Sequence, residues 1–175
     1  MEEISISRIK KYIGKSSKED LSKDILELFQ KFSKIKDFYQ FKLSGGRDLK
    51  LLEKYKKIIQ NVFFPERGLG NARLSVARKA VTDFKKLSGD PNFIADVMIY
   101  YVEMGVDFTN EYGDINEPFY ESMESMYERA AKFMIENNIA NNYINRFKKI
   151  VENTSEIGWG FHDDLEYMYN KYFFH

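Results

Sequence analysis

The strongest constraint on this chain is the scarcity of breakers. Its 175 residues include 3 Pro and 10 Gly, and no stretch alternates apolar and polar side chains between turn residues. Apolar residues instead recur every three or four positions, the period of a helix rather than of a strand. Stripes of that kind must be buried against one another, helix on helix. The expected fold is all-α: a single-domain bundle or short αα-superhelix of about eight or nine helices. Short connections make antiparallel neighbours the expected arrangement. No repeat of about 40–47 residues is present, which weighs against a true solenoid. One helical domain is expected over residues 1–175, with an N-terminal helical pair or hairpin at 1–43 and a main helical body at 47–175.

Read along the chain, Ile6, Ile9 and Ile13 mark a short first helix closing near Gly14. Ser16 to Glu19 reads as a capping box, with Ser16 at the N-cap and Glu19 three residues on. Leu21, Ile25, Leu28, Phe29 and Phe32 form a stripe expected to face the core. Ile35, Phe38 and Phe41 continue it to a break at Ser44-Gly45-Gly46. Leu51 to Val62 mark a helix that stops before Pro65, because the residue preceding a proline is driven out of helical backbone. Residues 65–71 are the clearest loop. Val76 to Phe84 define a helix closed by Gly89. Asp90-Pro91 joins an acidic N-cap to a first-turn proline. The helix behind it is expected to reach about Phe108, with Ile94, Val97, Met98, Tyr101, Val102 and Gly105 inward. After a loop at 110–116, Pro118 opens a long helix with Phe119, Met123, Met126, Tyr127, Ala130 and Met134 on one face. Ile139 to Val151 give another, Gly158–Gly160 break it, and Leu165 to Tyr172 give the last.

Charge is unevenly spread. Residues 1–90 hold 21 Lys/Arg against 12 Asp/Glu, and residues 91–175 hold 6 against 15, so the halves carry +9 and −9 and the net is +0. The switch falls at Asp90-Pro91, a helix start rather than a linker. Both signs are therefore expected within one packed domain, where basic and acidic helices brace each other. There is no Cys and there are 2 His. That excludes a disulfide framework, thiolate chemistry and Cys/His zinc. No cofactor and no metal are expected. Met1-Glu2-Glu3-Ile4-Ser5 does not read as a secretory leader. No apolar run is long enough to span a bilayer, so no membrane association and a cytoplasmic location are expected.

Four groups of residues could carry chemistry. Arg67, Gly68, Gly70 and Arg73, followed by Arg78 and Lys79, place glycines and arginines at a helix start, where backbone N–H groups and guanidinium forks favour an anion. The segment lacks the Lys-Ser/Thr ending of a P-loop and follows a helix rather than a strand. Asp96, Glu103 and Asp107 share one helical face, and Asp114 and Glu121 extend the acidic surface. Carboxylates so placed bind cations or do acid–base work when burial shifts them, and otherwise form a solvated face. His162-Asp163-Asp164 could orient an imidazole, but Asp163 more simply supports a helix start. Lys10, Lys11, Lys15, Lys18 and Lys23 lie in a helix, capping box and basic-helix layout that resembles small two-helix modules, such as the SAP motif, that touch DNA backbone. A neutral whole chain weighs against nucleic acid as a partner. The Met and aromatic residues from Met98 to Met134 read as core packing.

Leu74 to Ala80, Asp90-Pro91 with Ile94-Ala95-Asp96, Tyr100 to Glu103, Tyr112 to Asn116 and Phe119 to Glu124 together resemble an uncharacterised bacterial family, known only as a domain of unknown function of about this length. The resemblance covers most of the chain. It implies a single-domain helical protein and brings no catalytic residues. The leading functional expectation is a non-enzymatic helical module for protein interaction or self-association, its partner a protein or a second copy. A second is binding of nucleic acid or a phosphate-bearing ligand through the basic half, centred on Arg67, Arg73, Arg78 and Lys79. A third is an enzyme using Asp, Glu and Tyr in an inter-helix pocket, which needs carboxylates of both acidic helices to converge.

Overall fold

A computed structural model of the chain describes residues 4–45, 47–68 and 72–174. Among these residues there are nine α-helices and no strand: α1 (Ile6–Ile13), α2 (Lys18–Lys31), α3 (Ser33–Leu43), α4 (Leu49–Phe63), α5 (Leu74–Leu87), α6 (Pro91–Tyr112), α7 (Glu117–Glu136), α8 (Ile144–Glu152) and α9 (Phe161–Phe173), with a 3-10 turn at Ala140–Asn142 before α8. The break expected at Ser44-Gly45-Gly46 follows the end of α3 at Leu43, and the loop expected at 65–71 is non-helical over 65–68; Gly46 and residues 69–71 lie outside those described.

Local side-chain chemistry starts most of these helices. Ser5, Asp48, Asp90 and Asn116 each accept a hydrogen bond from a first-turn N–H, filling donors that have no partner inside the helix. The N-cap of α2 is Ser17, one residue later than the capping box places it, and it accepts from the Asp20 N–H. Ser16 is occupied elsewhere, since its hydroxyl donates to the Tyr12 carbonyl at the end of α1. Helix α6 runs four residues past Phe108, because Phe108 and Thr109 are still buried. It ends at Gly113, whose φ of +84° takes the chain out of the helix.

The core is built by α4 to α9 around α6. Helix α6 packs against α4, α5, α7 and α8, and α9 closes the far side against α7 and α8. Val97, Ile99, Tyr101 and Val102 on α6 are fully buried, as are Phe63 on α4, Phe84 on α5, Tyr127 on α7 and Phe147 on α8. Aromatic rings tie the elements: Phe63 contacts Tyr101, Phe108 and Phe119 at centroid distances of 5.9, 5.9 and 6.4 Å. Gly105 lets α6 and α7 approach closely, because a Cβ there would lie 2.1 Å from the buried Met123 sulfur.

The N-terminal segment is different. Neither α1 nor α2 buries a single residue. The stripe from Leu21 to Phe32 is therefore not core, contrary to the expectation from its spacing. Helix α2 packs mainly on α3, and α3 joins the segment to the body, packing on α5 and bonding to α4 through Asp37. Helix α3 is seated by the buried Phe41 and by polar contacts: Lys54 Nζ to Asp37 at 2.5 Å, the Tyr55 hydroxyl to Asp37 at 3.2 Å, and Lys34 Nζ to Asp83 at 2.6 Å.

Candidate functional site

The residues singled out by charge resolve into three places. The first joins α4, α6 and α8. Asp96 and Glu103 are seven residues apart, two turns, and so share a face of α6. They do not form a solvated surface. Arg146 of α8 lies across both, with Nε and Nη2 on the two Glu103 carboxylate oxygens at 2.8 and 2.6 Å and Nη1 on Asp96 at 2.5 Å. Lys56 of α4 completes the cluster, 2.7 Å from the other Asp96 oxygen and 5.2 Å from the Tyr100 ring centre. Burial alone lowers the Arg146 proton affinity, but the contacts with Glu103 and Asp96 override it and hold the guanidinium above its ordinary range. Beside this cluster, Glu103, Asp107, Arg146, Lys149 and Asn153 line a cavity of about 260 Å³ with Met104, Val106 and Ile150. Burial, and then the charge of Glu103, push the Asp107 carboxyl up.

The second place is a groove of about 330 Å³ between α5 and α7, lined by Arg78, Pro118, Glu121, Ser122, Ser125, Met126 and Arg129. Residues 118, 122, 125 and 129 recur at three- and four-residue steps and so present one face of α7. Arg78 reaches over from α5 and donates from Nη1 to the Ser122 hydroxyl at 3.0 Å. That hydroxyl lies 2.8 Å from the hydroxyl of the fully buried Tyr101. The chain Arg78–Ser122–Tyr101 thus roots a surface guanidinium in the core.

The anion cluster expected from the sequence is dispersed. Arg67 is exposed in its loop, Gly68 has φ +80°, and Gly70 lies outside the described residues. Arg73 precedes α5 and lines a shallow groove with Ile58, Asn61, Val62 and Val76. Lys79 faces a third groove with Lys34, Asp37, Lys54 and Asp83. Positions 73, 78 and 79 point in three directions because each residue turns a helix by about 100°. On the acidic side, Asp114 accepts from the Tyr120 hydroxyl at 3.0 Å and braces the start of α7. Glu121 faces the α5–α7 groove, not the α6–α8 cavity. Carboxylates of α6 and α7 therefore do not converge on either. Among the described residues no group of three or more His, Cys, Asp or Glu could hold a metal ion. The His162 ring meets Thr154 Oγ1 at 3.0 Å and the Val151 carbonyl at 3.2 Å, rather than Asp163.

The third place is the N-terminal arm. Ile6, Ile9 and Ile13 on α1 are 77%, 46% and 50% exposed, and Ile25, Leu28 and Phe29 on α2 are 42%, 44% and 40% exposed. Phe32 and Phe38 are exposed as well. A hydrogen bond from the Tyr12 hydroxyl to Asp24 at 2.6 Å ties α1 to α2.

A sequence profile for a family of unknown function, DUF6155, matches residues 4–173. The chain belongs to this family. No curated protein and no solved structure matches the chain. The match spans the arm and the body of this DUF6155 member alike, so α1 and α2 are part of the family unit. Among the described residues no helix is long and apolar enough to cross a membrane.

Sequence reasoning missed Arg146, Arg129 and Ser122 in this DUF6155 chain. The signal for the two arginines was present. Arg129 is the first basic residue after Lys86, and Arg146 is one of only 6 Lys/Arg in the acidic half. A cation rare in its surroundings has carboxylates to satisfy or an anion to hold. Ser122 carried no such signal.

Proposed function

We propose that this protein is a helical interaction module that associates with a second copy of itself through the apolar face of α1 and α2. The observation that carries this reading is the exposure of Ile6, Ile9, Ile13, Ile25, Leu28 and Phe29 on two helices that bury nothing. Burying one such side chain contributes about 1.5–3 kcal/mol. Half a dozen left exposed on two neighbouring helices are a strong drive toward association.

Charge favours a second copy as the occupant. Helix α1 carries Arg8, Lys10 and Lys11 and no acid, whereas α2 carries Glu19, Asp20, Asp24 and Glu27 against three lysines. In a two-fold pairing of arms, α1 of one copy faces α2 of its partner. The apolar stripes then meet, and the basic rim of one helix lies beside the acidic rim of the other. The product is a four-helix arrangement between copies, with the bodies on either side.

The test is sedimentation of the full chain over a range of concentrations, at low and high salt. A dimer is expected, and it should persist in high salt because burial of apolar surface drives it. Ile9→Asp and Phe29→Asp should each give a monomer with unchanged helix content by circular dichroism. A chain that stays monomeric at every concentration overturns self-association.

A further inference from the structure

We propose that the groove between α5 and α7 is a binding site for a small oxyanion, a phosphate or carboxylate group, held between Arg78 and Arg129. The proposal is independent of the arm and goes beyond the interaction reading.

The argument starts from how arginines are used elsewhere in the molecule. The ion pairs that arginines make among the described residues are Arg47 with Asp90 and Arg146 with both Asp96 and Glu103. Arg78 and Arg129 make none. A guanidinium carries five N–H donors in a rigid fork suited to carboxylate and phosphate oxygens. Arg78 spends one of them on Ser122. The rest of its donors, and those of Arg129, have no partner among the described residues, and both side chains line one concavity.

The second part of the argument is preorganisation. A surface arginine is ordinarily a mobile side chain that loses entropy when it is held. Arg78 is already anchored, because Ser122 is itself buried and bonded to the fully buried Tyr101. An anchored fork costs less to bring to a ligand than a free one. Ser122 and Ser125 both line the groove. The groove then offers two guanidinium groups and two hydroxyls.

Glu121 on the rim sets the class more narrowly. With one carboxylate against two arginines the groove carries a net +1, which suits a singly charged group better than a polyanion. Glu121 also supplies an acceptor for a hydroxyl or ammonium on the same ligand. The site therefore fits a compact molecule carrying an oxyanion and a neighbouring donor, and it disfavours the closely spaced charges of a nucleic-acid backbone.

Calorimetric titration of the full chain at low salt tests this, with inorganic phosphate and glycolate as probes. Glycolate joins a carboxylate to a hydroxyl. Saturable binding of either probe is expected, and the preferred probe separates a phosphate from a carboxylate site. Arg129→Gln should weaken it about ten-fold or more, the worth of a charge-assisted contact. Because Arg129 is exposed and makes no hydrogen bond or ion pair among the described residues, this variant should keep its melting temperature. Lys79→Gln, on a neighbouring face of α5, should bind as the parent does. Absence of saturable binding by both probes overturns the proposal. So does an equal loss in Arg129→Gln and Lys79→Gln, which would mark diffuse attraction by a basic surface.

Discussion

Arg146 and Glu103 meet fork to fork: Nε and Nη2 of the guanidinium each donate to a separate oxygen of the carboxylate, at 2.8 and 2.6 Å. With Nη1 on Asp96, this one side chain fixes α8 against two turns of α6. It is also where the opposite charges of the chain meet, since Lys56 from the basic half binds the same Asp96. Among the described residues this Lys56–Asp96 contact is the one ion pair that joins the basic half to the acidic half; Arg146 pairs within the acidic half.

Arg146→Met should destabilise the fold by about 2–3 kcal/mol, because it removes charge-assisted bonds and leaves Asp96 and Glu103 crowded in a partly buried site. Arg146→Lys should recover only part of the loss, since an ammonium cannot bind two oxygens of Glu103 and one of Asp96 in the same fork geometry. Urea denaturation checks both. A loss below about 0.5 kcal/mol for Arg146→Met would mean that the cluster is no more than an exposed ion pair.

Gly105→Ala should destabilise the protein even though alanine favours helix by about 1 kcal/mol. The new methyl would lie 2.1 Å from the Met123 sulfur, so this fully buried thioether would have to shift within the core. Overpacking of this kind costs about 1–3 kcal/mol. Met123→Ala opens the space, so the double variant should be less destabilised than the sum of the two single changes. Thermal melts of the three variants measure the coupling.

Acid should loosen α3 before it unfolds the body. The hydrogen bond from Gln40 holds the Asp48 carboxyl below its ordinary 3.8, and the one from Lys34 does the same for Asp83. A lowered folded pKa means that these contacts contribute stability above about 3.8, and that this stability is lost as pH falls through the lower folded values. Each is partly solvated, so the loss is under about 1 kcal/mol per contact. Amide exchange should therefore speed up in α3 below pH 3.8 while α6 stays protected. Asp83→Asn should show fast α3 exchange already near neutrality. Equal protection of α3 and α6 at low pH would sink this account.

The arm shows where reading by period reaches its limit. Ile25, Leu28, Phe29 and Phe32 have the same spacing as Ile94, Val97, Met98 and Tyr101. The second set is core and the first is exposed. Spacing states only that one face of a helix avoids water. It does not say whether the chain itself has a surface to cover that face. The same limit applies to charge: Asp96 and Glu103 read as a solvated acidic face until Arg146, more than forty residues on, is brought beside them.

The sequence by itself determined the helices. Ser5, Asp90 and Asn116 cap them, Pro91 and Pro118 open them, and the inward faces of α6 and α7 lie as their spacing predicts. These are interactions between residues a few positions apart, and their physics is complete within one turn of chain. The tertiary structure alone decided which apolar stripes found partners, that Arg73, Arg78 and Lys79 face three different grooves, and that Arg78 shares its groove with Arg129. Burial and Coulomb energies depend on distances across the fold, and residues far apart in the chain acquire those distances only when the helices pack.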